Sequence, residues 1–138
     1  MAVLGLTRTL SIEGKKNNIL VNCIAPTALS RMTKDLFPPE YHDVFVPEKI
    51  VPSVLFMCHE SNEATSELIE VGGGYQTKLR YQRAGGLVLS GDFTAEDVAA
   101  GWAAVGDYSQ PQYPTTMVET MTFTMQRIAE ANEAKPKL

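Results

Sequence analysis

The sequence predicts an α/β protein built on a doubly wound parallel sheet, and three observations support this prediction. Ile19–Ala25 is a short run in which Asn22 is the one polar residue, which is typical of a strand buried on both faces. A helical pattern precedes this run and another follows it. Leu68–Val71 is a second apolar run, and three glycines end it. The alternation of helix and strand favours a parallel sheet covered by helices.

The first predicted helix is Ala2–Glu13, in which Val3, Leu6 and Leu10 fall on one stripe at helical spacing. Gly5 lies inside it, where glycine costs about 1 kcal/mol relative to alanine. We therefore expect a close packing contact at this glycine.

Pro26 is expected to end the first strand, because proline cannot donate a hydrogen bond to a neighbouring strand. The loop Thr27–Thr33 follows, at the position where open α/β sheets bind their ligands. Lys34–Val46 is rich in proline and aromatic residues, which predicts a mobile loop or short helices.

Val46–His59 is predicted to be the next helix, and Pro52 within it indicates that the regular part begins late. Its expected apolar face comprises Ile50, Val51, Val54, Leu55 and Cys58. Ser61–Ser66 is a polar turn that leads to the second strand.

The residues after the second strand mostly show helical spacing of their apolar side chains. Leu87–Leu89 is a candidate for a minor third strand, and Thr94–Asp97 has the spacing of a capping box. The helix behind the box is expected to bury Val98, Trp102 and Val105, and the last helix, near Met117–Ala131, shows Val118, Met121, Met125 and Ile128 on one face. We divide the chain into residues 1–92, part of the α/β domain, and 93–138, a helical extension.

Composition narrows the class of protein. The chain has 138 residues, 44% hydrophobic and 20% charged, with a net charge of −4, which argues against a nucleic-acid partner. The apolar runs are too short to span a membrane, and Cys23 and Cys58 are typical of buried thiols in a reducing compartment. Two confident strands are fewer than a doubly wound sheet needs, so we expect the C-terminal part of such a domain, with the N-terminal half absent.

Four segments carry a resemblance to a known family. They are LGLTRTLSIEGKKNN, VNCIAPTALSRMT, VLFMCHESNEA and LIEVGGGYQTKLR. The pattern resembles the short-chain dehydrogenases/reductases, and within them the (3R)-hydroxyacyl-CoA dehydrogenase type of the peroxisomal multifunctional enzymes. The likeness is strong over Leu4–Arg83 and weaker beyond. It implies a Rossmann-like sheet, NAD as cofactor, an acyl-CoA substrate, and a peroxisomal or cytoplasmic location.

The resemblance also implies particular roles. The backbone of Pro26, Thr27 and Ala28 and the hydroxyl of Ser30 would face the nicotinamide carboxamide of NAD. The family's catalytic Tyr-x-x-x-Lys motif would immediately precede Met1, so no catalytic residue is assigned within the chain. We therefore expect an inactive fragment of the dehydrogenase. Its first helix would lie in a dimer interface, and Lys34–Val46 would cover the substrate pocket or be a packed surface connection.

Two alternatives from other functional classes remain. The chain is either a non-catalytic interaction module that pairs with a complete dehydrogenase through Ala2–Glu13, or a small nucleotide- or acyl-binding domain that uses Gly72–Gly74. Those glycines, with Asp92 twenty residues on, partly match a dinucleotide fingerprint, although Thr77 stands at its third glycine. The chain shows no metal-ligand spacing and no G-x-S-x-G nucleophile motif. The C-terminal KPKL only partly matches a peroxisomal address, because proline replaces serine.

Overall fold

The structure is a computed structural model that describes residues 1–133. It forms two compact units, Met1–Leu79 and a second that begins at Arg80. The C-terminal KPKL lies outside the described residues. The division at residue 92 stays a prediction.

The first unit contains two helices and three strands, and the described part of the second unit, up to residue 133, contains three helices. The helices are α1 (Ala2–Gly14), α2 (Val51–Met57), α3 (Ala95–Ala100), α4 (Trp102–Val105) and α5 (Met117–Glu133), and the strands are β1 (Cys23–Pro26), β2 (Leu68–Gly72) and β3 (Tyr75–Leu79). Short 3-10 turns occur at Lys15–Asn17, Lys34–Leu36, Pro39–Tyr41 and Pro47–Ile50. None of the helices in the described range has the length and hydropathy of a membrane span.

The three strands form one sheet in the order β1-β2-β3. β1 runs parallel to β2, with Cys23 opposite Leu68 and Pro26 opposite Val71, and β2 runs antiparallel to β3. The predicted α/β class is therefore confirmed, and the sheet is partly parallel.

The first strand is shorter than predicted, because it begins at Cys23 rather than Ile19. Its last residue is Pro26. The residues ahead of it bind a loop instead of a strand. The Val21 N–H donates to the Thr65 hydroxyl at 3.0 Å. The side-chain amide of Asn22 donates to the Ala64 carbonyl at 2.7 Å and accepts from the Glu67 N–H at 3.1 Å. The one polar residue of the predicted strand thus fixes the loop that leads into β2.

β2 and β3 are joined by a two-residue turn that the sequence analysis did not predict. Gly73 and Gly74 both have positive φ, 59° and 91°, which is typical of tight hairpin turns. A strand, Tyr75–Leu79, follows the glycines where the dinucleotide fingerprint would place a helix.

α1 packs through a different face than its apolar stripe suggests. The buried positions are Leu4, Thr7, Ser11 and Gly14, whereas Val3, Leu6 and Leu10 are exposed. The hydroxyls tolerate burial because they donate to backbone carbonyls one turn earlier, that of Thr7 to Val3 and that of Ser11 to Arg8. A Cβ at Gly5 would meet no atom within 4 Å, so the expected close contact at that glycine is wrong for this chain.

α2 begins at Val51, after the 3-10 turn, as the position of Pro52 predicted. Its expected apolar face is largely exposed, with Val51 at 51% and Leu55 at 66%. The buried member of the helix is Ser53, whose hydroxyl oxygen has no hydrogen-bond partner among the described residues.

In the second unit, the predicted capping box of α3 is confirmed. The Asp97 N–H donates to the Thr94 hydroxyl oxygen, and the Thr94 N–H donates to the Asp97 carboxylate at 2.9 Å. Leu87–Leu89 is not a strand, and the helix behind the box is interrupted at Gly101. A Cβ at Gly101 would lie 2.7 Å from both Leu87 methyl carbons, so the Leu87 side chain would have to shift. Trp102 is 64% exposed, so the prediction that it is buried is wrong.

α5 begins with a second capping box. The Glu119 N–H donates to the Thr116 hydroxyl, and the Glu119 carboxylate accepts from the N–H groups of Thr115 and Thr116. Farther along, the guanidinium of Arg83 donates to the Thr120 carbonyl at 3.2 Å and to the Thr124 hydroxyl at 3.0 Å. These bonds hold one face of α5 against its own unit.

Candidate functional site

The candidate site is the loop that leaves β1, residues 27–33. The Thr27 N–H donates to the Val71 carbonyl at 2.8 Å and so extends the pairing of β1 with β2 by one residue. Gly72, at the end of β2, lies so close to the Thr27 carbonyl that a Cβ there would overlap it. The loop therefore starts in contact with the ends of two parallel strands.

The loop is held in shape by Thr33. Its hydroxyl accepts from the Ser30 N–H at 2.8 Å and donates to the Ala28 carbonyl at 3.1 Å. The two hydroxyls of Ser30 and Thr33 are 3.1 Å apart, and the Met32 N–H donates to the Ser30 hydroxyl oxygen at 3.2 Å. The sequence analysis assigned no role to Thr33, although a hydroxyl three residues after Ser30 is a common turn signal.

The four residues of the sequence hypothesis lie together in this loop and at its entry. Pro26 and Ser30 are exposed, and Thr27 and Ala28 are half-buried. The Ala28 N–H donates no hydrogen bond within residues 1–133. The loop thus presents a free backbone donor and a serine hydroxyl beside the ends of the parallel strands.

Residues 34–46 form short 3-10 turns, in agreement with one of the two predicted forms. The Phe45 carbonyl accepts from the Leu29 N–H at 2.7 Å, which ties this segment to the candidate site. Phe37 and Tyr41 pack on the Phe45 ring, at centroid distances of 5.0 and 6.2 Å. A Cβ at Gly73 would come within 3.0 Å of the Phe45 ring. The Phe45 ring therefore lies over the hairpin turn next to the site.

The glycines Gly72–Gly74 do not form a phosphate cradle of the dinucleotide type. Such a cradle needs a helix N-terminus behind the glycine turn. Here the turn leads into β3, and Phe45 and Val44 occupy the space above Gly73. The glycines serve close backbone approach and the hairpin.

The other candidate reactive side chains of residues 1–133 lie apart from one another. Within the described residues, no three His, Cys, Asp or Glu side chains are grouped to hold a metal ion. His59 Nδ1 accepts from the Ser61 N–H at 3.1 Å, which is a turn contact at the end of α2. Cys23 is buried and Cys58 is exposed. None of the five tyrosines has a lysine four positions later.

Three basic residues around the end of β3 also contact other side chains of this chain. Lys78 forms an ion pair with Glu67 at 2.8 Å, Arg80 lies over the Tyr113 ring at 3.8 Å, and Arg83 binds α5. In the second unit, a cavity of about 420 Å³ is lined mainly by apolar side chains such as Leu87, Phe93 and Val105. Its polar lining residues are Arg83, Thr124 and Arg127.

Comparison with known proteins identifies relatives of this chain. No family model matches the chain. The peroxisomal hydratase-dehydrogenase-epimerase of Neurospora crassa is 43% identical over 118 residues, which cover 83% of this chain and 13% of that protein. The full-length peroxisomal multifunctional enzyme type 2 of Drosophila melanogaster superposes with a TM-score of 0.82 at 31% identity, covering 96% of this chain and 24% of the Drosophila chain.

A short chain dehydrogenase from Mycobacterium avium superposes with a TM-score of 0.60 at 22% identity, covering 80% of this chain and 36% of that one, which shows the fold alone. The chain thus spans about a quarter or less of the length of the multifunctional enzymes it matches. This chain is a homologue of one segment of the peroxisomal multifunctional enzymes and has the short-chain dehydrogenase/reductase fold over that segment.

Proposed function

We propose that this chain supplies the nicotinamide side of the cofactor pocket, and a dimer surface, of an NAD-dependent (3R)-hydroxyacyl-CoA dehydrogenase in peroxisomal fatty acid oxidation. The reaction of the complete enzyme would transfer a hydride from the hydroxyl-bearing carbon of the acyl-CoA to NAD and give the 3-ketoacyl-CoA. The observation that carries this proposal is the loop at residues 27–33, at the carboxyl ends of β1 and β2.

The groups in this loop fit a carboxamide, which needs one donor and one acceptor. The free Ala28 N–H would donate to the carboxamide oxygen. The Ser30 oxygen would accept from the carboxamide nitrogen, and Thr33 would hold Ser30 in place. Pro26 and Thr27 would line the same side of the nicotinamide. The bound NAD would supply the hydride acceptor.

The chain alone would not catalyse hydride transfer. The reaction needs a general base, and the family uses a tyrosine whose pKa is lowered by the lysine four residues later. This chain has no such pair. We expect it to act with residues that supply this pair and the adenosine side of the pocket.

A replacement experiment tests this role in a complete enzyme. The 118 matching residues of the Neurospora protein would be exchanged for those of this chain, and NAD reduction would be followed with a (3R)-hydroxyacyl-CoA. We expect the chimera to keep dehydrogenase activity and Ser30→Ala to raise the KM for NAD about tenfold, the equivalent of one hydrogen bond. Leu29→Ile, which keeps the side-chain volume and the backbone bonds, is the matched control.

Two results would contradict the proposal. One is a chimera whose KM for NAD does not respond to Ser30→Ala. The other is tight NADH binding by the 138-residue chain by itself that Gly73→Asp abolishes and Ser30→Ala leaves intact. That second outcome would favour the small nucleotide-binding domain.

The interaction module is the second candidate, and the exposed stripe of α1 favours it. Val3 is 66% exposed and Leu6 58%, although both are apolar. Exposed apolar side chains along one helix favour a partner surface. A homodimer, or pairing with a complete dehydrogenase, would cover the stripe. Leu6→Glu should then prevent co-purification with a complete relative, while Thr9→Glu should not.

A further inference from the structure

The hydroxyl of Thr33 makes three hydrogen bonds, which is its full capacity. A hydroxyl has one hydrogen to donate and two lone pairs that accept. The Thr33 oxygen lies 3.1 Å from the Ala28 carbonyl oxygen, 2.8 Å from the Ser30 nitrogen and 3.1 Å from the Ser30 hydroxyl oxygen. Thr33 is half-buried, whereas Ser30 is exposed. The loop is thus organised around a hydroxyl that has no capacity left for a ligand.

The direction of the bond between the two hydroxyls follows from these contacts. A carbonyl oxygen only accepts, so the single hydrogen of Thr33 is used at Ala28. The Ser30 N–H donates to one lone pair of Thr33. The remaining contact therefore takes its hydrogen from the Ser30 hydroxyl. Ser30 donates to Thr33, and Thr33 donates to Ala28.

This direction determines what Ser30 presents to a ligand. Its hydrogen is used at Thr33, and one of its lone pairs accepts from the Met32 N–H at 3.2 Å. Its second lone pair accepts from no group within residues 1–133, and the residue is exposed. The Ser30 hydroxyl is therefore an acceptor only. The Ala28 N–H in the same loop is a donor only.

We propose that Thr33 is a positioning residue that selects the amide form of the cofactor, because it makes Ser30 an acceptor. This proposal rests on the proposed function of the loop in binding the nicotinamide carboxamide. The amide nitrogen donates to Ser30, and the amide oxygen accepts from the Ala28 N–H. A carboxylate in the same place would set an oxygen against the Ser30 oxygen, and neither would supply a hydrogen. The loop should therefore bind a dinucleotide with a pyridine carboxylate more weakly than NAD.

Binding measurements on the chimera described above test this selection. Titration followed by cofactor fluorescence compares NADH with the reduced dinucleotide in which a carboxylate replaces the carboxamide. We expect NADH to bind at least about tenfold more tightly. In Thr33→Val this preference should fall about tenfold, because the freed Ser30 hydroxyl can turn and donate to the carboxylate.

Two further variants control for loss of structure in the loop. Thr33→Ser keeps a hydroxyl at the same position and should keep the preference for the amide. Thr9→Val makes the same exchange at a hydroxyl that donates to the Gly5 carbonyl within α1, and it should leave the preference unchanged.

The 138-residue chain without cofactor gives a second measurement, hydrogen exchange followed by NMR. We expect the Ser30 amide to exchange at least about tenfold faster in Thr33→Val, because it loses its acceptor, and at its original rate in Thr33→Ser. The amide of Thr27, which donates to the Val71 carbonyl, is the internal reference and should keep its rate in both variants.

The outcomes separate this proposal from the function on which it rests. If Ser30→Ala leaves NADH binding unchanged, both are overturned. If Ser30→Ala weakens NADH binding while Thr33→Val keeps the preference for the amide, or leaves the Ser30 amide protected, the role of Thr33 alone is overturned.

Discussion

The backbone carbonyl of Thr27 lies directly against Gly72, so that the end of β2 and the first residue of the candidate site occupy adjoining space. A Cβ at position 72 would overlap the Thr27 carbonyl oxygen and lie 2.8 Å from the Thr27 Cβ. The same approach allows the Thr27 N–H to reach the Val71 carbonyl. The position of the loop thus depends on the absence of a Cβ at Gly72 in the neighbouring strand.

This contact predicts that Gly72→Ala displaces the loop. The backbone of Thr27 cannot move without losing its bond to Val71, so we expect a loss of about 1–3 kcal/mol in unfolding free energy, measured by urea titration. Gly5→Ala is the matched control, because its Cβ meets no atom within 4 Å. That helical substitution should raise stability by up to about 1 kcal/mol. Equal effects of the two alanines would contradict the packing described.

Asn22 should be required to hold the loop that leads into β2. Asn22→Ala leaves the Ala64 carbonyl and the Glu67 N–H without their partner, which predicts a loss of about 1–3 kcal/mol in the same titration. Asn17→Ala, at an exposed residue of the preceding turn, should change the unfolding free energy by less than about 0.5 kcal/mol. A neutral Asn22→Ala would show that the loop is fixed by other contacts.

The two buried serines of the first unit should respond differently to alanine. The Ser11 hydroxyl donates to the Arg8 carbonyl at 2.8 Å, whereas the Ser53 oxygen has no partner among the described residues. Ser53→Ala should therefore be neutral or stabilising, and Ser11→Ala should be less stable than Ser53→Ala by about 1 kcal/mol. Thermal melts of both variants measure the difference. The reverse order would indicate that Ser53 does have a partner in solution.

The start of α5 should be sensitive to acid. Hydrogen bonds from the Thr115 and Thr116 N–H groups to its carboxylate hold the pKa of Glu119 below the ordinary value, with the Thr115 backbone the largest cause. A lowered pKa in the folded state gives stability that is complete above the unfolded-state pKa and is lost as pH falls through the folded-state value. Helix content by circular dichroism should therefore fall below about pH 4.

Glu119→Gln should remove part of this acid transition and lower helix content at neutral pH. Glu133→Gln, near the other end of the same helix, should keep the transition. An unchanged acid transition in Glu119→Gln would assign it to other carboxylates, such as Asp97 in the box of α3, whose pKa is also lowered by its bond from the Thr94 backbone.

Much of the first unit was predictable from local patterns. The helix at Ala2–Glu13, the parallel pairing of two apolar strands and the late start of α2 at Pro52 all follow from residue spacing and proline chemistry. The cofactor-loop hypothesis came from resemblance, and spacing alone would not have given it. The roles of Pro26, Thr27, Ala28 and Ser30 stay predictions.

Other features were missed because they depend on partners distant in sequence. β3 was not predicted because Gly72 and Gly74 matched a nucleotide fingerprint, while Gly73 and Gly74 form a hairpin turn. Thr33 gained its role only when the loop brought its hydroxyl to Ser30 and Ala28. The second capping box, Thr116 to Glu119, had a readable signal and was overlooked.

The sequence by itself determined which segments are helical, which two strands are apolar and where proline or glycine interrupts them, because these properties depend on neighbours within a few residues. Only the tertiary structure decided which face of each helix is covered. In α1 the small residues Thr7, Ser11 and Gly14 are buried while Leu6 and Leu10 are exposed. Apolar periodicity indicates every helix face that is unfavourable in water, and this includes faces that only a partner would cover. Close packing within the unit instead selects small side chains, because they let the backbones approach.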